Sequence, residues 1–476
     1  MDPDTIAQWT ALRLGPAFAQ STDATASATA EREAFLHQAS TVLTQVCTHI
    51  QTASPSAIIS LLPEDIATWI AMCAQFHVVA VPEAWQTPNL VRQSQALLRH
   101  IYQQLYTDSA TSGATVSGVT SPTTQALMHG RLAQDYTSLI LTRFVKPEFT
   151  HATPRWHTAK PHAGKPRQRS QEDLRVQFHL QQPWKRDHPA TLHILGWCLT
   201  WLPAPWRQLD LLAFIPAVLT MLDDYECRCK WQGVVYTQTL VAKDLAGGTR
   251  WLHSTGLALA LYEALLQMIL FRGDQEPHAV DLLAAVFDAL PGVIDCIATP
   301  ESNAWFDRWD QVVEQGILKN LTFHQNHVAV LPLLFDQVVI ITRRLGKDVT
   351  TYLNPLVLEC CRCLQEPIVH SPSLFGIHRA AGAALLALAR TCQPRVSHYL
   401  PPIICAVASS WRQVRNLANR SALKGIADHE GVLQTIVQTV AVRDPSAVAQ
   451  AHETLTQHDT TLFTALFAKV TANVSG

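Results

Sequence analysis

The stretch Phe214-Ile-Pro-Ala-Val-Leu-Thr-Met-Leu-Asp-Asp-Tyr-Glu-Cys-Arg-Cys-Lys-Trp-Gln-Gly233 reads as the end of one helix, a tight acidic turn and the start of a second helix. Pro216 sits inside the apolar run, where it removes a backbone donor and crowds the preceding turn, so a bend is expected there. Asp223 and Asp224 stand where the chain leaves the first helix. A short carboxylate at that place can accept the orphan N–H groups of the next helix start, so both are read as caps. Arg228 and Lys230 follow in the first turns of the second helix. A helix, an acidic turn and a helix with basic residues at its head form one unit of a chain that stacks helical hairpins on one another.

Composition agrees with this unit. The chain has 476 residues, enough for two or three ordinary domains or for one array of stacked hairpins. Hydrophobic residues at 48% supply a large core, and charged residues at 16% are too few for a disordered chain. A net charge of −2 gives no electrostatic ground for nucleic acid or an anionic membrane as a partner. The 11 cysteines are odd in number, and they cluster at Cys227 and Cys229 and at Cys360, Cys361 and Cys363. That pattern suits buried reduced thiols in a reducing compartment better than a disulfide framework. No secretory signal is read at Met-Asp-Pro-Asp. The most apolar stretches, Leu192 to Leu222 and Val328 to Thr342, are interrupted by Pro203, Pro205, Arg207 and Asp210 and by Asp336, short of the run of about 20 apolar residues that a membrane span needs. A soluble, cytoplasmic protein is expected, with the nucleus as a further location.

Taken in order, the chain divides into three expected regions. Residues 1–144 form an N-terminal helical region. In it, Met1 to Leu14 reads as a short amphipathic helix, and Gly15 to Thr29 as a flexible Ala/Ser/Thr-rich connection. From Glu31 a helix places Phe35, Val42, Val46 and Ile50 on one stripe. Further helices are predicted over Ser56 to Leu62, Pro63 to Phe76, Thr87 to Tyr106 and Gln125 to Phe144, with Asp108 to Thr124 as an exposed loop. Residues 145–189 are rich in Pro, His, Arg and Lys and read as a long basic loop, ordered in places, that Pro183-Trp184-Lys185 pins down. Residues 190–476 return to helices at short intervals, as in the stripes Leu282/Val286/Leu290 and Val432/Ile436/Val440. Prolines recur near helix starts (Pro332, Pro355, Pro401, Pro402), and no alternating β pattern is found. The predicted fold class is all-α, a HEAT-like helical-repeat solenoid of stacked antiparallel hairpins. Such repeats run to roughly 35–47 residues, but here no strict period is legible.

Few residues suggest chemistry. Asp223-Asp-Tyr-Glu226 could hold magnesium and a pyrophosphate, as an Asp-Asp-x-x-Asp motif does in all-α isoprenoid synthases, because hard cations take carboxylate oxygens. Cys227 stands where the third acid belongs, Lys230 would compete for the site, and no second acidic motif follows, so capping is the favoured reading. Cys360 and Cys363 have the spacing of half a zinc site, and His324 and His327 resemble a ligand pair. Each is read first as ordinary helix packing. No nucleophile elbow, phosphate loop or dinucleotide turn occurs, and Gly247-Gly248 is read as a helix end. Most tryptophans of the central region are read as packing. Trp305 and Trp309, one turn apart among Asp307, Arg308 and Asp310, carry a second reading as an exposed anchor for a partner.

Phe144-Val-Lys-Pro-Glu-Phe149, a basic loop with Pro154-Arg155, Pro183-Trp-Lys185, a helix with Trp197, and then Pro216, Leu222-Asp-Asp-Tyr-Glu226, Lys230 and Gly233 follow one another in that order. This series resembles the TELO-two-interacting protein two family, the smallest subunit of the Triple-T (TTT) co-chaperone complex. The resemblance is strongest over Phe144 to Gly233 and weaker through the C-terminal helices. It implies an all-α HEAT-like adaptor without catalytic activity or cofactor. Its implied partners are the other two Triple-T subunits, chiefly the large HEAT-repeat one. The complex it implies supports the maturation of phosphatidylinositol-3-kinase-related kinases with the heat-shock chaperone machinery. Pro216, Asp223, Asp224, Tyr225, Glu226, Lys230 and Gly233 would form an architectural turn and contact surface, with Trp184, Lys185, Trp305 and Trp309 as further contact candidates. Cys227 and Cys229 depart from the polar residues expected there. The other readings are a magnesium-dependent all-α enzyme using Asp223, Asp224 and Glu226, and a HEAT-repeat scaffold of unrelated function.

Overall fold

The computed structural model describes residues 26–52, 62–78, 85–106, 122–150, 182–206, 208–270, 278–325, 327–368, 374–417 and 424–474. Among these residues every regular element is helical. The expected helices at Met1 to Leu14 and over most of Ser56 to Leu62 lie outside the described residues, as does 151–181 of the basic loop. Two compact units are present. The first holds the described residues up to Leu265 with His278 and Asp288–Ile297; the second holds 266–270, Ala279–Phe287 and the described residues from Ala298 onward. Both flanks of the 145–189 segment fall in the first unit.

The first unit begins with α1 (Ala26–Thr52), α2 (Pro63–Ala74), α3 (Pro88–Tyr106) and α4 (Pro122–Ile140). Val42, Val46 and Ile50 are buried as their spacing predicts, and α1 packs on α3. Three boundaries differ from the sequence expectation. Helix α1 already includes Ala26 to Thr29, α4 already includes Pro122 to Thr124, and α4 continues through a π turn (Leu141–Val145) into Lys146–Thr150. Ala is the best helix former, and a Ser or Thr hydroxyl is satisfied inside a helix by bonding back one turn, as Thr41 does to the His37 carbonyl at 2.9 Å. Pro122 is favoured at a helix start, where its missing N–H costs nothing.

The unit continues with α5 (Pro183–Arg186), α6 (Ala190–Trp201), α7 (Gln208–Leu222), α8 (Cys227–Gly247), α9 (Trp251–Ser254) and α10 (Leu257–Met268), whose residues after Leu265 belong to the second unit. Helix α6 is buried along nearly its whole length and packs against α2, α4, α5 and α8, which explains why its sequence is apolar on every side. Pro216 lies within α7, and α8 ends where Gly248 takes a left-handed conformation at φ 64°.

Helix α11 (Ala279–Ile297) contributes to both units. The second unit then runs through α12 (Asn303–Gln311), which continues as a π turn (Val312–Leu318) and Lys319–Phe323. It goes on through α13 (Val330–Leu345), α14 (Leu353–Gln365), α15 (Leu374–Thr391), α16 (Gln393–Val396), α17 (Leu400–Arg415), α18 (Ile426–Ala441), α19 (Pro445–His458) and α20 (Thr460–Val474). Helices α13, α15, α18 and α20 pack side by side in one layer, with α14 and α17 forming a second layer against them. This is the two-layer arrangement of stacked hairpins, each helix turning an apolar stripe to its neighbours. A chain of polar contacts runs from the exposed Glu366 into the unit, where His378, Ser410 and His429 are wholly buried. His378 Nε2 meets the Glu366 carbonyl at 3.0 Å, His378 Nδ1 meets Ser410 Oγ at 2.9 Å, and Ser410 Oγ meets His429 Nε2 at 3.1 Å.

Candidate functional site

The Leu222–Glu226 turn is built by side chains from three segments. Helix α7 closes with Asp223 N–H donating to the Leu219 carbonyl (3.0 Å) and Asp224 N–H to that of Met221 (3.2 Å). The next helix starts after Glu226, whose extended backbone (φ −80°, ψ 128°) makes it the cap residue, without a side-chain cap bond. The expectation that Asp223 and Asp224 cap α8 is thereby corrected. Asp224 Oδ1 instead accepts from the Glu226 N–H at 2.8 Å, a local turn that forms one residue too early to satisfy the helix's own donors.

The same Oδ1 receives Lys185 Nζ at 2.9 Å, and Lys185 Nζ also reaches Glu226 Oε1 at 2.6 Å. The Asp224 carboxylate is fully buried, the Lys185 side chain is 7% exposed, and Glu226 remains partly solvated. Trp184 brings Lys185 there. Its indole is completely buried and stacks on Phe149, centroids 5.3 Å apart and planes 16° from parallel. The Pro183–Arg186 helix is therefore clamped between the tail of α4 and the turn. Cys229 Sγ lies 3.9 Å from Glu226 Oε2 on the other side.

Electrostatics follow from this geometry. Burial works against the Lys185 ammonium, yet the Asp224 and Glu226 carboxylates beside it outweigh burial and raise its pKa above the ordinary value. Burial, reinforced by the Asp224 charge, raises the Cys229 thiol well above its usual range, so it stays protonated and inert. The Lys185 ammonium thus fills the place between the carboxylates that a cation would take, and it is Lys185, not Lys230, that does so. Lys230 is half-buried further along α8. Among the described residues no group of three His, Cys, Asp or Glu is placed to hold a metal.

Gly233 shows why the two helices can meet here. A Cβ on it would lie 3.0 Å from Met221 Cβ and 3.2 Å from the Leu222 backbone nitrogen. One turn further on, Tyr236 donates its hydroxyl to the buried Leu192 carbonyl at 2.7 Å and fixes α8 against α6.

The remaining sequence candidates separate clearly. Pro216, Asp223 and Tyr225 are exposed, Tyr225 at 51%, so the turn presents an aromatic ring above a rigid, charge-paired base. Trp305 and Trp309 are 3% and 1% exposed and pack edge to face with centroids 5.8 Å apart. The exposed-anchor reading of this pair is corrected: Asp307 and Asp310 are exposed, whereas the indoles belong to the core of the second unit. Cys360, Cys361 and Cys363 are free and buried on α14. His327 Nδ1 accepts from the Ala329 and Val330 N–H groups at 3.3 and 3.2 Å, fastening the start of α13. Sequence reading missed Phe149 as the partner of Trp184. It also missed Lys243, whose Nζ donates to the Thr200 and Leu202 carbonyls at 2.7 and 2.5 Å and closes the end of α6. Neither carries a local signal, because both partners are distant in sequence.

Stacked helical hairpins carrying a buried ion-paired turn define an all-α helical-repeat protein whose distinctive surface is a turn held from beneath. The chain belongs to the Tti2 family: the model of that family matches residues 94–371, more than half of the chain. The match takes in Trp184, Lys185, the whole Pro216–Gly233 block and both core tryptophans. It carries the resemblance, read most strongly from Phe144 to Gly233, back to residue 94 in the N-terminal region, and it covers the C-terminal helices as far as 371.

Proposed function

We propose that this chain is a non-enzymatic adaptor subunit of the Triple-T co-chaperone complex, working by presenting helical-hairpin surfaces to larger helical partners. Membership of the Tti2 family is the observation that carries this reading. The braced turn supports it as a contact surface: Tyr225 and Asp223 are solvent-facing, and their backbone is fixed in advance, which lowers the entropy lost on binding. Its partners are the other two Triple-T subunits, chiefly the large HEAT-repeat one, and through them the phosphatidylinositol-3-kinase-related kinases and the heat-shock chaperone. Cytoplasmic and nuclear locations go with that role. No described helix is long and apolar enough to cross a membrane.

Affinity purification of the tagged chain from its own cells, followed by mass spectrometry, tests the proposal. Recovery of the two other subunits in near-equal amounts is the expected result; their absence at near-physiological salt overturns it.

A further inference from the structure

We infer that the junction of α2, α4 and the 182–190 segment is a binding site for one structural water molecule, hydrogen-bonded between the Gln75 amide and the His188 ring. A cavity of about 10 Å³ lies there, lined by Gln75 and His188 with Met72, Phe144 and Ile194 among its apolar walls. Gln75 is 1% exposed, and neither atom of its amide has a partner among the described residues. His188 Nδ1 is buried in the same condition.

The chemistry of the two groups is complementary to water. Glu148 Oε1 lies 3.7 Å from His188 Nε2, so Nδ1 is the ring nitrogen left for the water, which can donate to it or accept from it. A water between them bonds to Nδ1 as donor or acceptor and, on its other side, donates to Gln75 Oε1 or accepts from Gln75 Nε2. Buried amides are rarely left without a partner, since desolvation is then uncompensated. The volume is about the minimum that one water requires, and too small for any larger solute. His129 is a useful contrast. Both its ring nitrogens are also buried without a partner, but its ring stacks on Trp201 at 4.6 Å, and it does not line this cavity.

The water has a structural consequence for the turn. His188 follows Lys185 by three residues in the same segment, so the bridge ties that segment to the end of α2 while Lys185 ties it to Asp224. The anchor is held at both ends.

A crystal structure of the full chain at a resolution that shows ordered solvent tests this directly. The expected result is one density peak 2.7–3.2 Å from a Gln75 amide atom and from His188 Nδ1, the range of a normal hydrogen bond. In melts, Gln75→Met and His188→Leu should each lower the midpoint by about 2–4 °C. The double variant should lose less than the two singles together, because both remove the same bridge. A wild-type structure without the peak overturns the inference. So does a Gln75→Met protein that melts at or above the wild type, since the amide would then be a plain cost.

Discussion

Lys185 and Asp224 are 39 residues apart in the chain, and their Nζ and Oδ1 atoms are 2.9 Å apart with both side chains almost wholly out of solvent. Two charges are taken from water together at this point, and the turn between α7 and α8 owes its shape to their pairing. A buried pair contributes little net stability relative to apolar residues of the same shape, but losing one member leaves the other charged and unpaired.

Lys185→Met is therefore expected to destabilise the first unit by about 3–5 kcal/mol, and Asp224→Ala by less, because Lys185 keeps Glu226 at 2.6 Å. A lost helix cap would cost only about 0.5–2 kcal/mol. Urea titration of the two single variants and the double variant decides between them. Single-variant losses confined to the smaller range, or losses that simply add in the double variant, would restore the capping reading.

Gly233→Ala is expected to cost about 1–3 kcal/mol, because its methyl group meets Met221 Cβ at 3.0 Å and the Leu222 backbone at 3.2 Å and forces α7 and α8 apart. The control is Gly376→Ala on α15, where an added Cβ meets nothing within 4 Å. There the expected change is neutral or slightly stabilising, from the better helix propensity of alanine. Equal midpoints for the two variants would contradict the close-approach explanation.

Trp305→Ala and Tyr225→Ala should separate core from surface. The buried indole at 305 should cost about 3–5 kcal/mol on truncation. The exposed ring at 225 should leave the melt within about 0.5 kcal/mol of wild type while reducing recovery of the Triple-T subunits in the purification described above. Normal recovery with Tyr225→Ala would remove this turn from the proposed contact surface.

Acid should weaken the second unit in a defined window. Burial lowers His378 to about 4, against a smaller opposing effect of its bond to the Glu366 carbonyl. Burial, with the charges of His378 and Arg379, lowers His429 to about 3. In the unfolded chain both titrate near 6.5. Between that value and about 4 the unfolded chain binds protons that the folded chain does not, so stability is full above pH 6.5 and falls as pH drops. Two pH units correspond to about 3 kcal/mol for each histidine. Urea midpoints at pH 7 and pH 4.5 should diverge strongly for wild type and less for His378→Gln/His429→Gln. Equal divergence would assign the acid sensitivity to other groups.

Helix periodicity was legible because it is local. Val42, Val46 and Ile50 recur at the spacing that turns one face inward, and that face is buried whatever packs on it. The hairpin around Pro216 and the Asp223-Asp224 turn was legible for the same reason, as was the helix end at Gly248. The boundaries at Ala26, Pro122 and Lys146 were misread where small or polar residues hid a helix that neighbouring segments stabilise. Trp305 and Trp309 misled because exposed charges such as Asp307 and Asp310 alternate with them along the sequence, and a linear reading merges the faces of the helix.

The sequence by itself determined the all-α class, the hairpin unit and the family, since these depend on residue spacing and on the order of short motifs. Only the tertiary structure decided that Lys185, not Lys230, neutralises Asp224 and Glu226, that Phe149 carries Trp184, and that Ser410 joins His378 to His429. Each of these unites segments far apart in the chain, and side-chain chemistry alone does not choose among the many possible partners. The packing of helices does, by leaving one group within about 3 Å of the other and excluding the water that would have served either.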